Sequence, residues 1–239
     1  MAGTDYTALC GRIVAWRDDV VRNIKSIRRS QDLFDDLADS EAAREVARAA
    51  EARGRVASSS PFITRPFDYG AVITWSFDTA TWQQSRFSDG TRYGVWYGAR
   101  DLKTTVYETV FHWHRFLLDS FAGESRAIVG ERRAFDVHCD ALLVDLRAAS
   151  EAEPQLLSRT SYAFTQGLGR FLVERGQSGL LMRSARCAGE CAAIFDPARL
   201  SHVRDRAFLT YHCNPVRDMV RVERSPGRTW LTIRPGELA

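Results

Sequence analysis

Three residues of one short segment have side chains that could do chemistry together: an arginine, a tyrosine and a glutamate. Arg86, Tyr97 and Glu108 lie eleven residues apart within the segment SRFSDGTRYGVWYGARDLKTTVYETVFHW. A guanidinium binds phosphate or carboxylate, an aromatic ring offers a stacking face, and a carboxylate stabilises positive charge. Each residue also has an ordinary interpretation: a solvated turn arginine, a core tyrosine with a bonded hydroxyl, and an acid that complements a helix dipole.

The neighbouring residues predict which elements carry these side chains. Arg86 precedes FSDG, which has the composition of a turn. Tyr97 lies in the β-branched and aromatic run 94–100, which predicts a strand. Glu108 lies in the first turns of a predicted helix over 104–121, where apolar residues recur at helical spacing.

The rest of the chain after Pro61 contains both strand and helix signals. The predicted helix over 161–176 is stopped by Gly176. Since strands dominate and no regular strand–helix alternation occurs, we predict an α+β fold with a mainly antiparallel sheet. The other predicted strands are 71–77, 135–146, 178–186, 191–197 and several in the last forty residues.

The N-terminal part predicts a helical extension over residues 1–55, followed by a domain over 56–239. A second helix is predicted from Ser40 and ends at Gly54, a position that suits a helix C-terminus. The extension is interpreted either as a layer that covers the sheet or as a docking surface for another protein. A first helix is predicted over residues 9–27, because apolar residues recur there at helical spacing: Leu9, Ile13, Trp16, Val20, Ile24 and Ile27.

Composition indicates a soluble globular protein. The 239 residues are 45% hydrophobic and 26% charged. No apolar run reaches the roughly 18 residues of a membrane span, and the N-terminus has no secretory signal pattern. The five cysteines are therefore predicted to be reduced thiols in a cytoplasmic protein. Cys187 and Cys191 are not part of a recognised zinc spacing, so we predict no metal.

The charge distribution leaves two interpretations open. The net charge is +3, yet the stretch from Arg183 to Arg234 holds ten arginines against five acids. That stretch is either a solvated face or a patch for phosphates, nucleic acid or an acidic partner. The phosphate-binding patterns GxGxxG and GxxxxGK[ST] and the hydrolase pattern GxSxG do not occur, which disfavours Rossmann, P-loop and α/β-hydrolase enzymes.

Two ordered motifs resemble those of the RES domain family. The first is RFSDGTRYGVWYGARDLKTTVYETVFHWHRF, with an arginine after a turn, a tyrosine on a strand and a glutamate on a helix. The second is GLLMRSARCAGECAAIFDP, preceded by the helix motif TQGLGRFL. The resemblance covers roughly residues 60–215. Where the family has a Gly-Gly turn after the second motif, this chain has CAGEC.

The resemblance implies a fold and a function. RES proteins resemble ADP-ribosyltransferases, with split antiparallel sheets and flanking helices, and they consume NAD. They are toxins of toxin–antitoxin pairs with Xre-family antitoxins. Some transfer ADP-ribose to a protein, and one such branch modifies phosphoribosyl pyrophosphate synthetase; the N-terminal extension here is similar to that branch. Others are NAD phosphorylases or glycohydrolases, so the acceptor stays open between a protein, phosphate and water.

The same resemblance implies roles for five residues. Glu108 would stabilise the charge that develops on the ribose, Tyr97 would stack on the nicotinamide, and Arg86 would hold the ribose or pyrophosphate. Arg65, in FITRPF, would bind phosphate. Ser184 would donate a hydrogen bond to the ribose or amide. The predicted catalytic residues are thus Glu108, Arg86 and Tyr97, and the predicted NAD-binding residues are Arg65, Arg86, Tyr97 and Ser184.

The remaining predictions concern histidines, partners and a third function. His112 and His114 are predicted on opposite sides of their helix, so both cannot line one site; His114 is predicted in the core and His138 on a strand, and neither of these two has a predicted role. An antitoxin is expected to cover the cleft, with an acidic tail meeting the arginines. A nucleic-acid-binding module or ribonuclease is the third hypothesis; it is disfavoured because aromatic and basic residues do not interleave near the C-terminus. Nucleic acid is then contacted only through the antitoxin.

Overall fold

The computed structural model describes residues 5–26, 68–121 and 126–238. The strands and helices below belong to one compact unit, built from residues before 27 and after 68. Within these ranges eight strands form one sheet in the order β1-β2-β5-β4-β3-β6-β7-β8. Their bounds are β1 Ile13–Lys25, β2 Trp96–Ala99, β3 Ile128–Asp145, β4 Gly179–Arg183, β5 Glu190–Ile194, β6 Leu200–Asn214, β7 Met219–Ser225 and β8 Arg228–Ile233.

The long strand β3 organises the sheet. One edge of β3 pairs with β1 from Lys25↔Arg132 to Ile13↔Val144. Its other edge pairs with β6 from residue 128 to 139 and then runs parallel to β4 at Val144 and Asp145. The sheet therefore divides at β3 into β6-β7-β8 and β4-β5-β2, and β2 returns to β1 at Val21↔Ala99. The other described strand pairs are antiparallel, so the predicted α+β fold with a mainly antiparallel sheet is confirmed.

Helices flank this sheet. The described α-helices are α1 Ala71–Thr74, α2 Leu102–Ser120, α3 Ala149–Ala152 and α4 Ala163–Glu174. Helix α2 begins after Asp101, whose carboxylate accepts hydrogen bonds from the Thr104 backbone N–H and hydroxyl at 2.9 and 2.7 Å. Gly176 follows α4 and has φ +68, in agreement with the prediction that this glycine ends the helix. Short 3₁₀ helices span Thr7–Cys10, Trp75–Phe77, Thr79–Thr81, Pro154–Leu157, Pro197–Arg199 and Pro235–Leu238.

Alternation along β3 shows which helices share a face of the sheet. Its odd-numbered residues from Phe135 to Leu143 fill one buried cluster together with Trp16 and Trp96. Its even-numbered residues Ala134 and Val144 belong to the clusters beneath α2 and α4. Because successive side chains of a strand point to opposite faces, α2 and α4 pack on the same face. That face carries the predicted site residues.

The helix predicted over residues 9–27 is wrong where the structure describes it, since Ile13–Lys25 forms strand β1. Trp16, Val20 and Ile24 are four residues apart, and a spacing of four fits one face of a helix as well as one face of a strand. The β-branched pairs in IVAWRDDVVRNI favour the strand, and β3 supplies a partner along thirteen positions.

The strand predicted over 71–77 is also wrong. These residues form α1 and the following 3₁₀ helix, with the Thr74 hydroxyl bonded to the Gly70 carbonyl at 3.2 Å. The side chain of Val72 is buried, and its carbonyl accepts a 3.0 Å hydrogen bond from the Trp96 indole. A short apolar run does not distinguish strand from helix, and tertiary contacts decide between them.

The structure changes one part of the domain prediction, the helical extension over residues 1–55. Strand β1 pairs with β2 and β3 of the predicted 56–239 domain, so residues 13–25 are not helical and not separate from its sheet. The helix predicted from Ser40 lies outside the described residues, and the boundary at residue 55 stays a prediction. None of the helices in the described ranges has the length and apolarity needed to cross a membrane.

Candidate active site

Four of the five predicted site residues lie in the described part of the chain. Arg86 lies in the turn before β2, Tyr97 within β2, Glu108 in the second turn of α2, and Ser184 directly after β4. Arg65 lies outside the described residues. Strands β2 and β4 both pair with β5, which places the ends of these elements near one another.

A short hydrogen bond joins Glu108 and Ser184. The Ser184 hydroxyl oxygen lies 2.5 Å from Glu108 Oε1 and accepts from the backbone N–H groups of Arg186 and Cys187 at 3.0 and 3.3 Å. These two N–H groups occupy the oxygen lone pairs, so the single hydroxyl proton points at the carboxylate. Ser184 is predicted to donate to the ribose or amide of NAD; in this structure it donates to Glu108 and orients that carboxylate.

The turn that carries Ser184 packs tightly on the start of α2. The Ser184 N–H donates to the Gly189 carbonyl at 2.8 Å and closes the turn. A Cβ on Gly189 would lie 1.9 Å from Thr104 Oγ1, so no side chain fits there. The segment CAGEC thus retains a glycine where the turn meets the helix that bears Glu108.

Replacing this glycine by alanine should destabilise the protein. Gly189→Ala forces the turn away from Thr104, and overpacking of this kind costs about 1–3 kcal/mol in the free energy of unfolding. Urea denaturation measures the loss. Gly11→Ala is the matched control, because the nearest atom to its added Cβ is 3.9 Å away, and it should change stability by less than about 0.5 kcal/mol. Equal effects of the two changes would contradict the tight contact.

Tyr97 holds the turn that carries Arg86. Its hydroxyl lies 2.9 Å from the Ser85 hydroxyl and accepts a 3.0 Å hydrogen bond from the Phe87 N–H. Burial raises the pKa of Tyr97 to about 12, so the hydroxyl is protonated at neutral pH. The residues on both sides of Arg86 are therefore attached to β2 through one phenol, while the Tyr97 ring is half-buried.

Tyr97→Phe should loosen this turn. The buried Phe87 N–H would lose its acceptor, which lowers the free energy of unfolding by about 1–3 kcal/mol. Thermal denaturation measures it. Tyr107→Phe removes a hydroxyl that has no hydrogen bond within the described ranges and should stay within about 0.5 kcal/mol of the unchanged protein. A neutral Tyr97→Phe variant would show that the turn does not depend on the phenol.

Arg86 is anchored by part of its guanidinium. Nη1 donates to the carbonyls of Leu156 and Ser158 at 3.1 and 2.9 Å, and the guanidinium carbon lies 4.8 Å from the centre of the Tyr162 ring. No described residue takes a hydrogen bond from Nε or Nη2. This arginine is half-buried and held in place, yet retains donors for a further group.

The charges of Arg86 and Glu108 act on the same neighbours. Neighbouring protein atoms partly desolvate the imidazole of the exposed residue His112 and lower its pKa; Glu108 opposes this shift, and Arg186 and Arg86 add to it. Burial raises the pKa of Cys191 well above its usual value; Glu108 adds to that shift, and Arg86 opposes it. The two predicted site residues therefore share one neighbourhood.

Sequence reasoning assigned no role to two residues beside this site, His112 and Arg186. His112 lies four residues after Glu108 on one helix face, a signal that the spacing does contain. His114 is buried and lies 3.6 Å from Asp218, so the two histidines do face different surroundings. Arg186 is buried next to Ser184, and nothing in the local sequence indicates it.

A cavity of about 650 Å³ opens beside Ser184, a volume typical of ligand sites. Arg86, Tyr97 and Glu108 do not line it. The charges in its wall are paired: Arg147 holds Asp145 through two hydrogen bonds of 2.8 and 2.9 Å and lies 3.1 Å from Glu190. Its lining residues are Arg12, Asp145, Arg147, Ala148, Glu151, Leu157, Arg183, Ser184, Cys187, Ala188 and Glu190.

Many of the arginines between residues 183 and 234 form ion pairs with described carboxylates. Among the described residues, at least five of the ten between residues 183 and 234 contact carboxylates, which leaves less free positive charge for nucleic acid than the sequence suggests. These five are Arg183, Arg199, Arg204, Arg206 and Arg221.

All five cysteines are free thiols, and the described ranges contain no cluster of three His, Cys, Asp or Glu side chains suited to a metal ion.

Comparisons with known proteins place the chain in a family. A comparison with curated protein sequences returns no match. Among solved structures, the crystal structure of the M. tuberculosis MbcT-MbcA toxin-antitoxin complex is similar at 13% identity and a TM-score of 0.44, covering 85% of this chain and 88% of that one. The family model of the RES domain matches residues 54–214, more than half of the chain and both sequence motifs. The chain therefore belongs to the RES domain family.

Proposed function

We propose that this protein is the toxin of a toxin–antitoxin pair and transfers ADP-ribose from NAD to a protein. The observation that carries the proposal is the carboxylate of Glu108, which the Ser184 hydroxyl orients at a distance of 2.5 Å. RES family membership supports NAD as the substrate. A fixed carboxylate suits a substrate whose reacting carbon gains positive charge, and the free donors of an anchored arginine suit a pyrophosphate.

The reaction would proceed by departure of nicotinamide. The bond between the nicotinamide nitrogen and C1′ of the ribose breaks, and its electron pair stays with nicotinamide. Positive charge develops on the ribose, and the Glu108 carboxylate stabilises it. A nucleophilic atom of the acceptor then bonds to C1′ and releases its proton to solvent.

The other residues would bind and orient NAD. Arg86 has Nε and Nη2 available for the ribose or pyrophosphate, while Nη1 keeps the side chain in place. Tyr97 supports that turn, and its ring is the proposed stacking face for nicotinamide. Arg65 remains the proposed second phosphate ligand from the family resemblance. Because Ser184 orients Glu108, its contact with the substrate would be made through that carboxylate.

Product analysis tests the proposal and separates it from the alternatives. The purified protein is incubated with NAD in phosphate-free buffer, with phosphate, or with cell extract, and the products are identified by mass spectrometry. Nicotinamide release with a mass increase on a protein supports the transferase. ADP-ribose phosphate or free ADP-ribose as the main product selects the phosphorylase or the glycohydrolase. If no condition releases nicotinamide, the proposed function is wrong.

Target and antitoxin are tested separately. Phosphoribosyl pyrophosphate synthetase is the proposed acceptor in the cytoplasm, and purified synthetase should gain ADP-ribose when it is incubated with this protein and NAD.

An Xre-family antitoxin is the proposed partner. Co-purification with it should suppress NAD loss, because an unblocked NAD consumer would be lethal to its host. A stable complex with unchanged NAD consumption would contradict the idea that the antitoxin covers the site.

A further inference from the structure

Arg186 is a buried cation whose guanidinium forms no ion pair with any described carboxylate. It is 4% exposed, and burial lowers its pKa while Glu108 acts in the opposite direction. Its Nη1 donates to the Leu238 carbonyl at 2.8 Å and its Nη2 to the Arg159 carbonyl at 3.3 Å. The guanidinium carbon lies 3.3 Å from the centre of the Phe111 ring. Burying a charge is costly, so these contacts must offset a large desolvation penalty.

Each contact of Arg186 leads to one part of the candidate site. Its backbone N–H donates at 3.0 Å to the Ser184 hydroxyl, which orients Glu108. Phe111 lies on α2, three residues after Glu108 and on the same side of that helix. Arg159 follows Ser158, whose carbonyl anchors Arg86. One residue therefore contacts the three segments that position Ser184, Glu108 and Arg86.

The Leu238 contact extends this arrangement to the C-terminal segment. Residues Pro235–Leu238 form a 3₁₀ helix, and the Gly236 N–H donates to Asp218 at 2.9 and 3.1 Å. Asp218 lies 3.6 Å from His114 of α2. The segment is thus attached at one end to the β6–β7 turn and at the other to Arg186.

We propose that Arg186 is a positioning residue, which holds α2, the Arg86 anchor and the C-terminal segment in the one arrangement that aligns Glu108 with its substrate. The proposal rests on the proposed function for its kinetic consequence. Arg186 itself does not contact the substrate, because its side chain is buried and its guanidinium bonds to the Leu238 and Arg159 carbonyls and to the Tyr162 side chain. Its removal should therefore misplace Glu108 and Arg86 without removing a substrate contact.

Hydrogen exchange, read by mass spectrometry, tests the structural part without any activity. Arg186→Met should increase exchange about tenfold in residues 102–111 and 184–189, because these segments lose a shared anchor. Arg132→Met is the matched control: burial lowers the pKa of its guanidinium too, the guanidinium carbon lies 5.4 Å from the centre of the Tyr211 ring, and within the described ranges it makes no hydrogen bond or ion pair with the three segments. Unchanged exchange in the Arg186 variant, or the same pattern in the control, overturns the proposal.

Steady-state kinetics tests the catalytic part. At temperatures well below unfolding, Arg186→Met and Arg186→Lys should lower kcat for nicotinamide release about 10²-fold and raise KM for NAD by a smaller factor, since Glu108 is displaced from the reacting bond and Arg86 from its substrate contact. Lysine keeps the charge but cannot reach both carbonyls, and it serves if the methionine variant does not fold. A wild-type kcat in either folded variant overturns the proposal, as does a rise in KM alone. Inactive wild-type protein with the expected exchange pattern would instead refute only the proposed function.

Discussion

Glu108→Gln should reduce nicotinamide release by roughly 10²–10⁴, equivalent to about 3–5 kcal/mol of transition-state stabilisation. The substitution keeps the shape of the side chain and an oxygen that can accept from Ser184, but it removes the negative charge that faces the ribose. Because that charge is needed only as the nicotinamide bond breaks, kcat and kcat/KM should fall together. Initial rates over a range of NAD concentrations measure both constants.

Two further variants distinguish the effect of the Glu108 charge from a general effect of the substitution and from the effect of its orientation. Glu131→Gln is the matched control, since Glu131 also accepts a hydrogen bond from a hydroxyl, that of Thr210 at 3.0 Å, on another part of the sheet. Its activity should be unchanged. Ser184→Ala keeps the Glu108 charge but removes the orienting proton, and we expect a loss of about tenfold, smaller than that of Glu108→Gln. A Glu108→Gln variant with more than half of the wild-type activity would show that the acid was assigned wrongly.

Arg86→Lys should be the second most damaging of these substitutions. Lysine keeps the positive charge, but it has no planar fork that can anchor on the Leu156 and Ser158 carbonyls and still present donors to a ligand. We expect kcat/KM for NAD to fall by about 10²–10³, the range measured when one fixed donor is removed from an active site. The loss should appear in KM as well as kcat, because Arg86 is proposed to hold the bound substrate.

Arg92→Lys provides the comparison for Arg86. Arg92 lies in the same loop, is exposed, and makes no hydrogen bond or ion pair with the described residues. Its substitution should leave kcat/KM within about twofold, as expected for a surface side chain. If the two lysine variants behave alike, Arg86 is the solvated turn arginine that its sequence neighbourhood equally allows, and the pyrophosphate contact must come from another residue.

Local sequence signals located most of the elements that carry the site. Helix α2 follows its predicted range because Asp101 can cap it and apolar residues recur with helical spacing. Helix α4 ends before Gly176, where a residue without Cβ adopts φ +68 at little cost. The spacing of Trp16, Val20 and Ile24 fits both a helix and a strand, so it predicts a helix where β1 forms. The competing strand interpretation wins only because β3 provides a long partner.

By itself the sequence determined the residue types, their order and the elements that bear Arg86, Tyr97, Glu108 and Ser184, because these depend on interactions between near neighbours. Only the tertiary structure decided how they are used. The Ser184 proton reaches a carboxylate 76 residues away, and Arg186 reaches a carbonyl 52 residues away. Such contacts depend on which strands pair and how closely a helix packs on a turn, and no spacing along the chain encodes either of them.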